Sequence, residues 1–354
     1  MRARNGLDGL ICFFNSFAME ATQHDLVLSK RPRRLRRSEG IRDLVQETHL
    51  RTGDLIVPLF VVEGTAQKQA IPKFPGIFRF SIDVLLKEAE NLHKQGILAV
   101  ALFPMMDASL KDSIGSMAQR EDCILNRAIA ALKRRLPNLL LISDVALDPY
   151  TSHGHDGIVN EKGEVLNDET VEYLVQMALL QARAGADFVA PSDMMDGRVR
   201  AMRDALDREG FSQVGILSYA AKFASKLYGP FREAVQSSLQ FGDKKGYQLN
   251  PANRREALLE ASLDENEGAD LLLVKPALYY LDVLSALKAQ SRVPVGAYHV
   301  SGEYAMVMAA HEQGVLDAPA VFWEALLSIK RAGADFIITY AYPQIAHYLA
   351  KNFT

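Results

Sequence analysis

Cysteine is nearly absent: Cys12 and Cys123 are the two thiols in 354 residues. So few, so far apart, form neither a disulfide framework nor a metal-type spacing, which fits a reducing compartment and makes the cytoplasm the expected location. Nor is there an excess of charge of one sign. Forty Lys and Arg against 43 Asp and Glu leave a formal net charge of −3, too little for an overall field toward nucleic acid or a membrane. A run long enough to span a bilayer is missing too. GLICFFNSFA at 9–18, behind Arg2 and Arg4, faintly imitates a signal peptide, but it is short and no small-residue cleavage site follows. Residues 1–30 read as a poorly ordered leader in which Met19 could itself be the start. No Gly/Ser/Pro-rich linker divides 40–350, so the simplest partition is an N-terminal leader and arm over 1–45 and one domain over 46–354.

One local charge excess stands out. RPRRLRR at 31–37 places five arginines in seven residues and reads as a solvated arm that pairs with acidic groups of its own or a neighbouring subunit. The rest has a globular balance, 49% apolar and 23% charged. From residue 55 onward, short apolar runs recur, each followed by a turn and a segment of helical period: 55–61, 97–103, 139–147, 187–193, 214–220, 270–276, 293–300 and 335–340. Such runs suit parallel strands covered on both faces, and eight of them predict an α/β fold, a closed (β/α)8 TIM barrel behind an extended N-terminal arm. An open doubly wound sheet is the runner-up, but it wants a glycine-rich phosphate turn after its first strand, and VVEGTAQKQ is none. Helices are predicted over 168–184, capped by Asp168 and ended by Gly185, and over 319–332, ended by Gly333. AGAD at 184–187, EGAD at 267–270 and AGAD at 332–335 look like one repeated joint between a helix and the next strand.

Barrel enzymes carry their chemistry at the C-terminal ends of the strands. Asp144, Ser192, Asp193, Lys222, Lys275, Ser301 and Tyr340 all fall there. A lysine after four apolar residues, as in LLLVK, is poorly solvated, so its neutral amine is accessible; a second lysine nearby, Lys222, depresses its pKa further. A lone lysine would more simply snorkel to solvent, whereas two at adjacent strand ends point to imine chemistry on carbonyl substrates. The 25 residues 227–251 form an unusually long connection, in which Arg232, Lys244 and Lys245 could receive a carboxylate and Gly229, Gly242 and Gly246 could let a lid close. The segment 144–157 gathers Asp144, Asp148, His153, His155 and Asp156. Its carboxylates would suit a hard cation such as Mg²⁺ or K⁺, while its histidines read first as structural hydrogen bonders.

DVALDPYTSHGHDG, APSDMMDGR, SYAAKFASKLYGPFR, FGDKKGYQ, LLLVKP, YHVSGEYAM and the IITY ending, with RPRRLR before them, resemble the porphobilinogen synthase (5-aminolevulinate dehydratase) family across nearly the whole barrel. The resemblance implies a hydro-lyase of tetrapyrrole biosynthesis that joins two 5-aminolevulinate molecules. It implies an imine at Lys275, helped by Ser301 and Tyr340, and a second at Lys222. Arg232, Lys244 and Gln248 match positions that bind the second carboxylate, and Asp144, Ser192 and Asp193 match residues lining the reaction centre. Zinc-dependent members carry three cysteines where this chain has Ala146, Asp148 and Asp156, which implies the magnesium-responsive branch without catalytic zinc. In that branch Glu260 matches the carboxylate of an allosteric Mg²⁺, Asp148 and Asp156 remain candidate hard-cation ligands, and a monovalent cation is a further expectation. Lys244 departs from the arginine of many members, exchanging a bidentate fork for a point charge. A homo-octamer built through the arm is also implied, with no nucleic acid or membrane partner and a plastid as the alternative location.

Overall fold

A computed structural model describes residues 28–351, so the expected leader, with the 9–18 run and Cys12, lies mostly outside the described residues. The chain divides into two units, one ending at Glu47 and one beginning at Thr48. In the first, a 3₁₀ turn at Pro32–Arg36 precedes α1 (Glu39–Leu44), where the Ser38 hydroxyl accepts the Ile41 N–H at 3.4 Å as an N-cap. The arginines of the basic run are exposed.

The second unit opens on β1 (Leu55–Val61), followed by a hairpin of β2 (Lys68–Ala70) and β3 (Phe78–Phe80). Then come β4 (Ala99–Pro104), β5 (Leu140–Val145), β6 (Phe188–Pro191), β7 (Gly215–Lys222), β8 (Leu271–Lys275), β9 (Val295–His299) and β10 (Ile337–Thr339). Strand β1 pairs in parallel with β4, each later strand pairs in parallel with the one before it, and β10 returns to β1, Leu55 opposite Ile337. The closure makes the eight-stranded barrel and removes the open sheet as an alternative. Between the strands run α2 (Ile82–Lys94), α3 (Ile124–Arg135), α4 (Asn167–Ala184), α5 (Arg198–Arg208), α6 (Gly229–Val235), α7 (Arg254–Glu267), α8 (Leu281–Gln290), α9 (Ser301–Glu312) and α10 (Ala318–Arg331), with α11 (Tyr342–Lys351) last. All seven residues of β1 are buried, as strands between a packed interior and a helical ring must be.

The repeated joint has a physical basis. Gly185, Gly268 and Gly333 take φ of 105°, 107° and 115°, the left-handed exit that ends α4, α7 and α10. The aspartate two residues on then accepts the N–H that opens the strand before it: Asp187 from Leu141 (2.8 Å), Asp270 from Ile216 (2.8 Å) and Asp335 from Val295 (2.7 Å). Gly-x-Asp therefore stops a helix and docks the returning chain at the stable end of the barrel.

Three details differ from expectation. The residue preceding α4 is Leu166, so Asp168 sits inside the first turn, where it meets the positive end of the helix dipole rather than capping it. The long connection after β7 is not all loop, for it contains α6. The β2–β3 hairpin went unforeseen because strands of three residues are too short to show an alternating pattern.

Candidate active site

Strands β7 and β8 are in simple register at Leu217/Leu271 and Ser218/Leu272; β7 then takes one extra residue, after which Ala221 meets Val274 and Lys222 meets Lys275. Side chains alternate between strand faces, so without that bulge Lys222 would stand on the opposite face from Lys275. The bulge makes the two lysines direct neighbours at the mouth.

Lys275 is 5% exposed, and its ammonium faces the rings of Tyr298 (4.7 Å to the centroid), Tyr219 (5.0 Å), Phe231 (5.0 Å) and Tyr228 (5.2 Å). Burial, and then the like charge of Lys222, push its pKa down to about 7, outweighing the opposite pull of Asp144, Asp148 and Asp156. Lys222 donates to the Ser192 carbonyl and stands 3.5 Å from Asp156 Oδ2.

Asp156 is the hub of the other half. Its carboxylate receives Lys244 Nζ at 2.7 Å and Gln248 Nε2 at 3.4 Å besides the Lys222 contact, and Lys244 also lies 3.7 Å from Asp148. Burial alone would raise the Asp156 pKa, but the ammoniums of Lys222 and Lys244 hold it well below the usual range. Asp144 is compensated less: burial and the Asp148 charge push it up to about 7 against the pull of Lys222 and Lys275, and its Oδ1 has no hydrogen-bond partner among the described residues. Asp193 is raised to about 6 by burial, moderated by Arg198 at 3.7 Å.

Asp144, Asp148, Asp156, Ser192, Lys222, Arg232, Lys244, Gln248 and Lys275 line one cavity with Tyr228 and Phe231, so the structure brings most of the anticipated residues together. The cavity measures about 20 Å³, room for about one water, so any substrate must displace side chains or the lid. Ser301 and Tyr340 stand just outside. The Ser301 hydroxyl accepts the Phe231 N–H (3.1 Å) and donates to the Leu227 carbonyl (3.2 Å); the Tyr340 hydroxyl shares a 2.8 Å bond with Tyr298. Asp193 is buried and does not line the cavity, Lys245 is exposed on the lid, and Glu260 on α7 lines a separate cleft with Asp196 and Glu256.

The histidines make structural bonds. His153 contacts the Ser113 carbonyl and the His155 N–H, and His155 bridges Tyr247 and the Phe241 carbonyl. Among the described residues no three His, Cys, Asp or Glu side chains gather as a metal site. Asp148 and Asp156 instead face an ammonium, and Ala146 brings no donor.

The sequence reading missed the aromatic box around Lys275. Tyr219 and Tyr298 sit on β7 and β9 and were legible as aromatics, but only the fold turns them toward one amine. Glu303 was missed as well: its buried carboxylate accepts the N–H groups of Val300 (2.6 Å) and Leu278 (2.6 Å), tying the chain after Lys275 to the start of α9. Burial lifts its pKa to about 7.

Comparison with known proteins converges on one family. Residues 29–348 match the family model for delta-aminolevulinic acid dehydratase. A Chlamydia pneumoniae protein named delta-aminolevulinic acid dehydratase is 54% identical over 93% of this chain and 98% of its own. A chloroplastic enzyme of the same name from Selaginella martensii is 51% identical over 92% of this chain and 78% of its own. The crystal structure of the Toxoplasma gondii ME49 enzyme in complex with its reaction product porphobilinogen superposes with a TM-score of 0.90 at 48% identity, covering 92% of this chain and 93% of that one. The chain belongs to the delta-aminolevulinic acid dehydratase family.

Proposed function

We propose that this chain is a porphobilinogen synthase, a hydro-lyase that condenses two 5-aminolevulinate molecules into porphobilinogen with loss of two waters in tetrapyrrole biosynthesis. The observation that carries the reading is the pair Lys222 and Lys275, set side by side by the β7 bulge, with Lys275 held near pKa 7 among four rings. A neutral amine attacks the ketone of one substrate and expels water to form an imine; once its nitrogen is protonated, the α-carbon is more acidic and the imine carbon more electrophilic than the ketone's. A second imine at Lys222 turns a bimolecular condensation of identical molecules into an oriented one within a single cavity. Asp144, with a free oxygen and a pKa near 7, can take and return a proton at neutral pH.

The substrate carboxylates have cationic and polar receivers. Arg232, Gln248 and Lys244 serve the Lys222 side, where the carboxylate competes with Asp156 for Lys244; Ser301 and Tyr340 serve the Lys275 side once the lid backbone releases the Ser301 hydroxyl. Borohydride reduction with 5-aminolevulinate should leave adducts on both lysine peptides, and incubation should give a pyrrole detected with Ehrlich's reagent. An Ehrlich-negative enzyme across pH and metal conditions would sink the proposal, as would full activity in Lys275→Ala.

For metals we propose response to Mg²⁺ rather than catalytic Zn²⁺. The mouth offers no thiolate or imidazole free to ligate, and its carboxylates Asp148 and Asp156 are engaged with Lys244, so zinc does not fit there. Glu260 fits Mg²⁺, which binds through one or two carboxylates and keeps several waters. It is half-buried, its pKa raised by burial, and it shares a cleft with Asp196 and Glu256. Bound there, the ion would supply charge away from the lysines. A homo-octamer built through the N-terminal arm completes the proposal, supported by the exposed Leu35 and Leu44 of that unit, which a partner would cover.

A further inference from the structure

We propose that Arg79 and Lys111 are positioning residues that latch the lid helix α6 over the mouth and thereby place Arg232. The inference rests on the proposed function only in giving Arg232 to the substrate held on Lys222.

Helix α6 has seven residues, too short to be stable alone, so whatever holds its ends decides where its side chains point. At its C-terminal end four successive carbonyls would be left without partners. Two cations from other parts of the barrel domain take all four. Arg79, on β3, donates from Nη2 to the Glu233 carbonyl (2.5 Å) and from Nε to the Ala234 carbonyl (2.6 Å). Lys111, between β4 and α3, donates to the carbonyls of Gln236 (2.6 Å) and Val235 (3.4 Å). Positive charge at this end also meets the negative pole of the helix. Arg79 is only 6% exposed, and burying a guanidinium is unfavourable unless its donors find acceptors, which the two carbonyls supply at Nε and Nη2.

The opposite end of α6 is held by Ser301, through the Phe231 N–H and the Leu227 carbonyl. Arg232 lies between the two anchors, one residue before the first latched carbonyl, and its own carbonyl accepts the Ser237 N–H at 3.0 Å. Lys222 and Lys275 ride on strands that do not depend on the latch. Releasing the C-terminal anchor therefore withdraws Arg232 from the Lys222 side while Lys275 keeps its strand position and the rings of Tyr219 and Tyr298, which also stand on strands. Because the cavity has room for about one water, substrate must displace side chains or the lid, and where the lid gives way the latch sets the balance between open and closed.

The test compares Arg79→Met, Lys111→Met and Arg79→Lys with the full-length wild type. Hydrogen exchange of residues 227–237, followed by mass spectrometry without substrate, should quicken by about ten-fold in each methionine variant with the rest of the barrel unchanged. With 5-aminolevulinate and borohydride, the Lys222 adduct should fall relative to the Lys275 adduct. KM should rise more than kcat falls, and Arg79→Lys should recover part of each effect. Unchanged exchange in both methionine variants would overturn the latch, and so would equal loss of both adducts. If Arg79→Met fails to fold, Lys111→Met, at a half-buried position, decides alone. Should the wild type form neither adduct, the proposed function fails, yet the exchange result still decides whether the latch exists.

Discussion

Lys275 owes its reactivity to what surrounds it. A lysine amine ordinarily titrates near 10.5; here burial removes the water that stabilises its charge, and Lys222 adds repulsion, so the folded value is about 7. The neutral amine is the nucleophile, so imine formation at Lys275 should rise with pH, level off above about 7, and fall away below it. Lys222→Met removes the like charge, and the half-point of that limb should move to higher pH. Borohydride trapping of Lys275 with a simple keto acid across pH 5 to 10 reads the shift; a move to lower pH would show that repulsion is not part of the tuning. At this scale the sequence was partly legible. LLLVK announced a poorly solvated amine, but nothing in it indicated that Asp156 would hold Lys222, Lys244 and Gln248 together, because those groups come from segments far apart in the chain.

Among elements, the glycine joint and the buried ion cluster behind β7 govern stability. Gly333 takes a φ of 115°, and a methyl there would come within 2.8 Å of Lys288 Cγ, so Gly333→Ala should cost about 1 kcal/mol or more, read as a lower Tm. Arg198 on α5 is buried against Asp264 of α7 at 3.2 Å, and both contact the Ser218 hydroxyl of β7. Removing Asp264 leaves a buried guanidinium whose neutral partners, the Ser218 hydroxyl and the Met195 carbonyl, remain but whose remaining carboxylate contact is Asp193 at the longer distance of 3.7 Å. Asp264→Ala should therefore lose about 3 kcal/mol in urea unfolding, several times the effect of an exposed pair such as Arg120–Asp122. The Gly-x-Asp joint was visible as a repeat, and its glycines did what a repeat after a helix predicts. Its aspartates were not interpretable beforehand, since their partners are strands identified only by pairing.

For the whole molecule, the barrel supplies a rigid mouth and the short lid supplies the movement a filled cavity needs. The described residues include no helix long and apolar enough to cross a membrane. The described residues of the N-terminal unit, 28–47, carry the basic run and exposed apolar side chains, and none of them is buried. Removing residues 1–37 should reduce the particle mass measured by light scattering from that of an octamer to a smaller assembly. An unchanged mass would remove the arm from the assembly reading.

The sequence by itself determined the barrel, since eight two-faced apolar runs with helical crossovers have few ways to bury both sides, and it determined the two lysines, because a charged residue at the end of such a run needs a reason to be there. Tertiary structure alone decided which face Lys222 presents, because one extra residue between Ser218 and Ala221 reverses strand parity and no local propensity reveals it. It also decided the aromatic box and the four-carbonyl latch. Both depend on contacts between residues from separate segments of the chain, and such contacts exist only once the strands are in register and the barrel is closed.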